Sequence, residues 1–224
     1  MSITSRILKA TEVRILLVTG MMLAALFITF PQIDLWVSGL FYQANAGGFT
    51  LREAMLPETV HRMVPVITVV TFALLVLAYI VKSQRPNAFP LLTRRALLFL
   101  ILALLIGPGL VVNSIFKENW GRARPVNIEQ FGGEKTFTPA WIVSDQGGKS
   151  FSSGDAAVGF FFAAFAYLYS GRKCRQVFLA GVGFGLLLGL VRIVMGGHFL
   201  SDVLFSGIFV LLTNALLARA LLLR

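Results

Sequence analysis

Six apolar runs organise the chain, over residues 15–30, 64–81, 96–116, 156–170, 176–195 and 199–218. Runs of this kind read as membrane-spanning helices. The first and fourth are short for a bilayer crossing, and apolar neighbours can extend either. The first follows Arg6, Lys9 and Arg14, as the apolar core of a signal peptide would. The small-residue triplet Ala44-Asn45-Ala46 lies roughly fourteen residues beyond that run, too far for cleavage, so a retained helix is expected. Between the runs, residues 50–63 mix Leu51, Met55, Leu56, Val60 and Met63 with charges. That pattern suits either a short helix lying on the membrane surface or an ordinary polar loop. Residues 117–150 form the longest polar stretch, with Pro125, Pro139 and the pairs Gly132-Gly133 and Gly147-Gly148. Without a repeat or a low-complexity tract, one membrane domain over 1–224 accounts for the chain. The expected fold is all-α, a bundle of six transmembrane helices.

Composition supports that reading. Of 224 residues, 57% are hydrophobic and 13% charged, about half the charge of a soluble domain. Mean hydropathy is +0.81. A soluble fold of this size cannot hide so much apolar surface, and disorder, collagen and disulfide scaffolds are excluded by the same figures. Cys174 is the single cysteine, so neither an intrachain disulfide nor a cysteine metal site is available. His61 and His198 are the only histidines, which leaves few candidates for imidazole chemistry.

The net charge is +10, from 20 Lys and Arg against 10 Asp and Glu. In a soluble protein this would suggest nucleic acid; in a membrane protein it reflects topology or an anionic lipid. With the N-terminus in the cytoplasm, twelve basic residues fall inside: Arg6, Lys9, Arg14, Lys82, Arg85, Arg94, Arg95, Arg172, Lys173, Arg175, Arg219 and Arg224. Both termini are then cytoplasmic. Eight basic residues fall outside, as do Trp36, Trp120 and Trp141, which suit an interfacial belt. No nucleic-acid partner is expected.

Five of those outer cations run against the positive-inside rule: Lys117, Arg122, Arg124, Lys149 and Arg192. Arg192 interrupts an apolar run, where a charge is costly and is usually paired or functional; a snorkelling side chain is the plainer alternative. Six residues on is His198, and four beyond it Asp202. On one helical turn that spacing shares a face, and a carboxylate there can hold the ring Nδ1–H and leave Nε2 basic. Before the fourth run, Ser150-Phe-Ser-Ser-Gly-Asp155 suits a helix N-terminus, either a plain cap or an oxyanion site using Ser153 and Gly154. Several cations and backbone donors around one imidazole describe phosphate chemistry with a covalent phosphohistidine.

At these residues the chain resembles the type 2 phosphatidic acid phosphatase (PAP2) superfamily of membrane lipid phosphatases. That family's first motif, Lys, six residues, Arg-Pro, is matched by Lys117 through Arg124-Pro125. Its second, Pro-Ser-Gly-His, appears as Ser152-Ser153-Gly154-Asp155, altered at its first and last positions. Its third, Ser-Arg, five residues, His, three residues, Asp, appears with Val191, Arg192, His198 and Asp202. The polar segment 117–155 thus carries two of the three motifs. The resemblance implies that Lys117, Arg124, Arg192, Ser153 and Gly154 bind phosphate, that His198 attacks phosphorus, and that Asp202 orients it. It implies no metal and no cofactor. Water would then hydrolyse the phosphoenzyme.

Asp155 stands where the family has the histidine that protonates the leaving oxygen. Asp155 itself as acid, a leaving group that needs no proton, or an impaired site that only binds all remain open. The implied substrate is a phospholipid or glycolipid phosphate at the outer face of the inner membrane: lipid A, undecaprenyl diphosphate, phosphatidylglycerophosphate or phosphatidate. The extra Arg122 favours lipid A, because two phosphates reward another cation. Transfer of the phosphoryl group to another lipid is a near alternative. A transporter is the alternative from another class, with the glycines from Ala180 to Gly185 as close-packing helix faces.

Overall fold

The computed structural model describes residues 3–90 and 92–222 of the chain. The described residues form seven helices: α1 (Ile3–Thr29), α2 (Gln32–Gly39), α3 (Met55–Gln84), α4 (Arg94–Leu104), α5 (Gly154–Phe161), α6 (Gly171–Val194) and α7 (Leu200–Leu221). Helix α4 continues as a π-helix, Leu105–Lys117, and α5 as a 3₁₀-helix, Phe162–Leu168. Five helices are long and apolar enough to cross a membrane: Thr11–Thr29, Met55–Gln84, Arg94–Lys117, Gly171–Val194 and Leu200–Leu221. The fourth sequence run is the shorter helix Gly154–Leu168, so five candidate spans stand where six are expected. Its brevity goes with its place in the fold. Ala156, Ala157, Phe161, Ala163 and Ala164 are fully buried, so it lies within the bundle.

Two expectations need correction. Residues 55–63 are neither a surface helix nor a loop. They are the first turns of α3, a 30-residue helix that starts well before the apolar run at 64. Pro57 sits within that first turn, where the missing N–H costs nothing. The fold also contains a small antiparallel sheet, in which β1 (Tyr42–Gln43) pairs with β2 (Gly48–Phe49). The small-residue triplet set aside as too distant for cleavage, Ala44–Ala46, is the turn between these strands.

Helix α7 is the axis of the bundle, with 61% of its apolar window buried against 6% for α1. Leu97, Phe99, Leu100 and Ala103 of α4 meet Ala156, Phe160 and Phe161 of α5 and Val203 and Val210 of α7 in the main core. The glycine run of α6 does pack closely. A Cβ on Gly181 would lie 2.3 Å from the Ala163 nitrogen, and one on Gly185 would lie 2.4 Å from the Phe160 ring. Small residues here let α5 and α6 approach backbone to backbone.

In the π-helical segment each turn is wider, and side chains take up the displaced carbonyls. Asn113 Nδ2 donates to Pro108 O at 2.8 Å, and Asn119 Nδ2 donates to Ile115 O at 2.7 Å. Such segments gather at functional sites, and this one delivers Lys117.

Candidate active site

The polar segment between Lys117 and α5 folds back on itself. Backbone N–H groups of Ser144, Gly148 and Ser150 donate to the carbonyls of Trp120, Gly121 and Arg122 at 2.9, 2.9 and 3.0 Å. The approach is close enough that a Cβ on Gly121, whose φ is +68°, would fall 1.7 Å from Ser144 O. This folding lays the first motif beside the second. A bond from Val126 N to Gly196 O, 3.1 Å, ties both to the third.

Each motif presents its groups at a helix end. Ser153 caps α5, its Oγ accepting from Ala156 N, and Gly154 opens the helix. A Cβ at Gly154 would lie 3.3 Å from Lys117 Nζ, so the ammonium stands at the positive end of α5. Helix α6 stops at a left-handed Gly196 (φ +65°), with Gly196 N donating to Ile193 O and Gly197 N to Arg192 O. Such a glycine closes a helix at little steric cost. A Cβ at Gly197 would sit 2.6 Å from Arg192 Nη2, so the guanidinium lies against the backbone just before His198. Arg192 is 6% exposed, and its Nε has no hydrogen bond among the described residues. Arg124 and Arg192 line one cavity, of about 550 Å³, with Arg52, Arg62, His61 and Gly197. The structure therefore brings together Lys117 with Gly154 and Asp155, and Arg124 with Arg192.

His198 is buried, and its Nδ1 lies 2.7 Å from the Ser150 carbonyl. A carbonyl only accepts, so Nδ1 carries the proton and the neutral ring keeps its lone pair on Nε2. Asp202 Oδ2 is 3.6 Å from Nδ1, beyond hydrogen-bond length. That oxygen instead accepts from Phe199 N at 2.8 Å and Ser150 Oγ at 2.6 Å. Asp202 thus supports the residue whose carbonyl holds the ring. Burial moves the imidazole pKa below its usual 6.5; Asp202 opposes the shift, while Arg192 and Lys117 reinforce it. The ring stays neutral, the form that can act as a nucleophile.

Arg122 does not join Lys117, Arg124 and Arg192. It is fully buried, and its guanidinium reaches Asp202 Oδ1 at 2.5 Å and Asp34 Oδ2 at 2.9 Å. Its guanidinium is spent on these carboxylates and is not available for a second substrate phosphate. Lys149 is half exposed and pairs with Glu118 at 2.6 Å.

Asp155 meets a partner that sequence reasoning missed. Its Oδ2 lies 2.5 Å from His61 Nδ1 and 3.4 Å from Arg192 Nε. His61 comes from the second turn of α3, 94 positions away. The chain has only two histidines, and that scarcity was the one available signal. His61 also borders a second cavity of about 490 Å³, which runs from Lys117, Gly154 and Asp155 to Val64, Val69, Phe72 and Leu105 between α3 and α4.

Cations held at helix ends around a neutral imidazole make a site for phosphoryl transfer, and comparison with known proteins gives its class. Residues 96–222 match the PAP2 superfamily. A lipid A 4'-phosphatase of Francisella tularensis subsp. novicida is 41% identical over 194 residues, which cover 84% of this chain and 86% of that protein. A lipid A 4'-phosphatase of Rhizobium etli is 33% identical over 200 residues, covering 81% and 76%. A lipid A 1-phosphatase of the same organism is 39% identical over 116 residues, covering 50% and 46%. No solved structure matches the chain. The chain belongs to the PAP2 superfamily and is a membrane phosphatase of that type.

Proposed function

We propose that the chain removes the 4'-phosphate of lipid A at the periplasmic face of the inner membrane, through a phosphohistidine on His198. The observation that carries this reading is the free Nε2 of a buried neutral His198, next to Arg192 and within a ring of cations. Nε2 attacks phosphorus, the bond to the sugar oxygen breaks, and Lys117, Arg124 and Arg192 stabilise the charge on the transferring group. The Ser153 hydroxyl and the Gly154 N–H complete the phosphate cradle at the α5 terminus. Water then attacks phosphorus, the P–N bond breaks, and inorganic phosphate leaves. In this reading the three cations supply the charge that Mg²⁺ supplies elsewhere.

The substrate class rests on two further observations. The apolar cavity between α3 and α4 continues from the phosphate end of the site, so an acyl chain can stay among the helices while its headgroup reaches the cations. The 4'-phosphatases align over most of this chain and the 1-phosphatase over half. The topology rests on charge. The basic segments at 82–95 and 172–175 follow or precede helix ends opposite the site, so both termini lie inside and Gly154–Leu168 makes the sixth crossing.

Purified protein given bis-phosphorylated lipid A should yield the 1-phosphate species by mass spectrometry, with release undiminished in EDTA. Loss of the 1-phosphate, or no release from any lipid phosphate, would overturn the reading. The pH dependence follows from His198. Protonation removes the nucleophile, and the depressed pKa places that event below 6.5. The rate of phosphoenzyme formation should therefore show no loss as pH falls from 8 to 6.5 and decline only below. A midpoint above 6.5 would contradict the burial argument.

A further inference from the structure

The leaving group of this reaction is a secondary sugar alkoxide, which departs slowly unless it gains a proton. We propose that His61 is the residue that supplies it, held in place by Asp155; the inference rests on the phosphatase reading above. Asp155 cannot serve as the donor in this arrangement. Its carboxylate accepts from His61 Nδ1 at 2.5 Å and forms an ion pair with the Arg192 guanidinium at 3.4 Å, so it stays ionised and the mobile proton sits on the imidazole.

The geometry around His61 fits a donor. Nδ1 is engaged by the carboxylate, while Nε2 has no hydrogen bond among the described residues. The side chain is 35% exposed, and it borders both the cationic cavity and the apolar cavity. It therefore stands where a lipid's phosphate end would pass from one to the other. Gly197, the residue before the nucleophile, lines the same cationic cavity. The next residue, Arg62, pairs with Glu58 at 2.6 Å at the edge of that cavity and is 77% exposed. Carboxylate, imidazole and reacting atom in line is the arrangement by which an acid is oriented and its charged form stabilised. The protons balance over the cycle. As the P–O bond breaks, His61 Nε2–H passes its proton to the sugar oxygen and the ring becomes neutral. As water attacks the phosphohistidine, Nε2 takes a proton from it, the P–N bond breaks, and His61 is imidazolium again.

The test uses full-length purified protein with bis-phosphorylated lipid A, and metavanadate as a phosphate-shaped inhibitor. His61→Gln should lower kcat about 10²–10⁴-fold while vanadate inhibition stays within about threefold of wild type, because the cations that bind the anion are untouched. Asp155→Asn should lower kcat less, and the double variant should be no slower than His61→Gln alone, as expected for residues acting as one unit. Vanadate inhibition that weakens in step with kcat would make His61 a binding or structural residue and overturn the proposal. So would a His61→Gln enzyme within threefold of wild type. An inactive wild type would overturn the lipid A reading itself, which separates the two failures.

Discussion

Replacing His198 with alanine should stop turnover of lipid A, with kcat lower by roughly 10⁶-fold, the scale seen when a covalent nucleophile is deleted. Two features of the structure set that expectation. Nδ1–H is spent on the Ser150 carbonyl, so Nε2 is the one ring atom with a lone pair to give. His61, the other histidine, has its Nδ1 against Asp155 and comes from a different helix, so it cannot take over the attack. The alanine variant also leaves a buried carbonyl unpaired, at a cost of about 1–3 kcal/mol. His198→Gln restores a donor of similar reach and should be equally inactive while melting closer to wild type. Quenching the reaction with labelled substrate should trap a base-stable, acid-labile phosphoprotein in wild type and none in either variant. Either variant retaining activity within a hundredfold of wild type would remove His198 from the nucleophile role.

The parts of this site that were legible in the sequence share a physical property: they are local. Apolar runs mark helices because each helix must bury or embed its own surface. The spacing from Arg192 to His198 to Asp202 is readable because a helix end and the next helix start fix those distances within one short segment. Gly181 and Gly185 of α6 were readable as a packing face because Cβ atoms have no room there. What was not legible depends on where chains meet. The start of α3 was misplaced because its first turns mix charges with apolar residues, and the misplacement hid His61 from the site. Asp202 was expected to hold the ring of His198, yet the Ser150 backbone carbonyl does so, and a backbone group carries no sequence signal. Arg122 was read with the phosphate cations because a guanidinium two residues before Arg124 looks the same whichever way it points. Asp34 carries the sequence signal for this pairing, since an acidic residue amid Phe30-Pro-Gln-Ile and Leu-Trp36 needs a partner when buried.

Arg122→Met should destabilise the fold by about 3–5 kcal/mol, out of a total of about 5–15 kcal/mol for a typical domain. The side chain is fully buried, and its fork is used up inside the protein. Nε donates to Thr138 O at 2.7 Å, Nη1 to Ser201 Oγ at 2.9 Å and Asp202 Oδ1 at 2.5 Å, and Nη2 to Asp34 Oδ2 at 2.9 Å. The ring of Phe199 lies 4.3 Å beneath it. Methionine fills much of the volume but leaves two buried carboxylates facing each other without a counter-charge. Burial already raises the Asp34 pKa, with Arg122 holding it down and Asp202 pushing it up. Without the guanidinium, Asp34 must take up a proton to stay buried, so the variant should lose stability as pH rises above the ordinary carboxylate range and regain some of it in acid. Asp34→Asn in the Arg122→Met background removes one of the two charges and should recover part of the lost melting temperature. Arg122→Lys should recover little, because a single ammonium cannot span Asp34, Asp202 and Thr138 at once. Activity should fall with the fold, since Asp202 also holds Ser150, whose carbonyl fixes the His198 ring. If Arg122 instead reached the phosphate, Arg122→Met would weaken vanadate inhibition at an unchanged melting temperature, and that result would return it to the cations of the site.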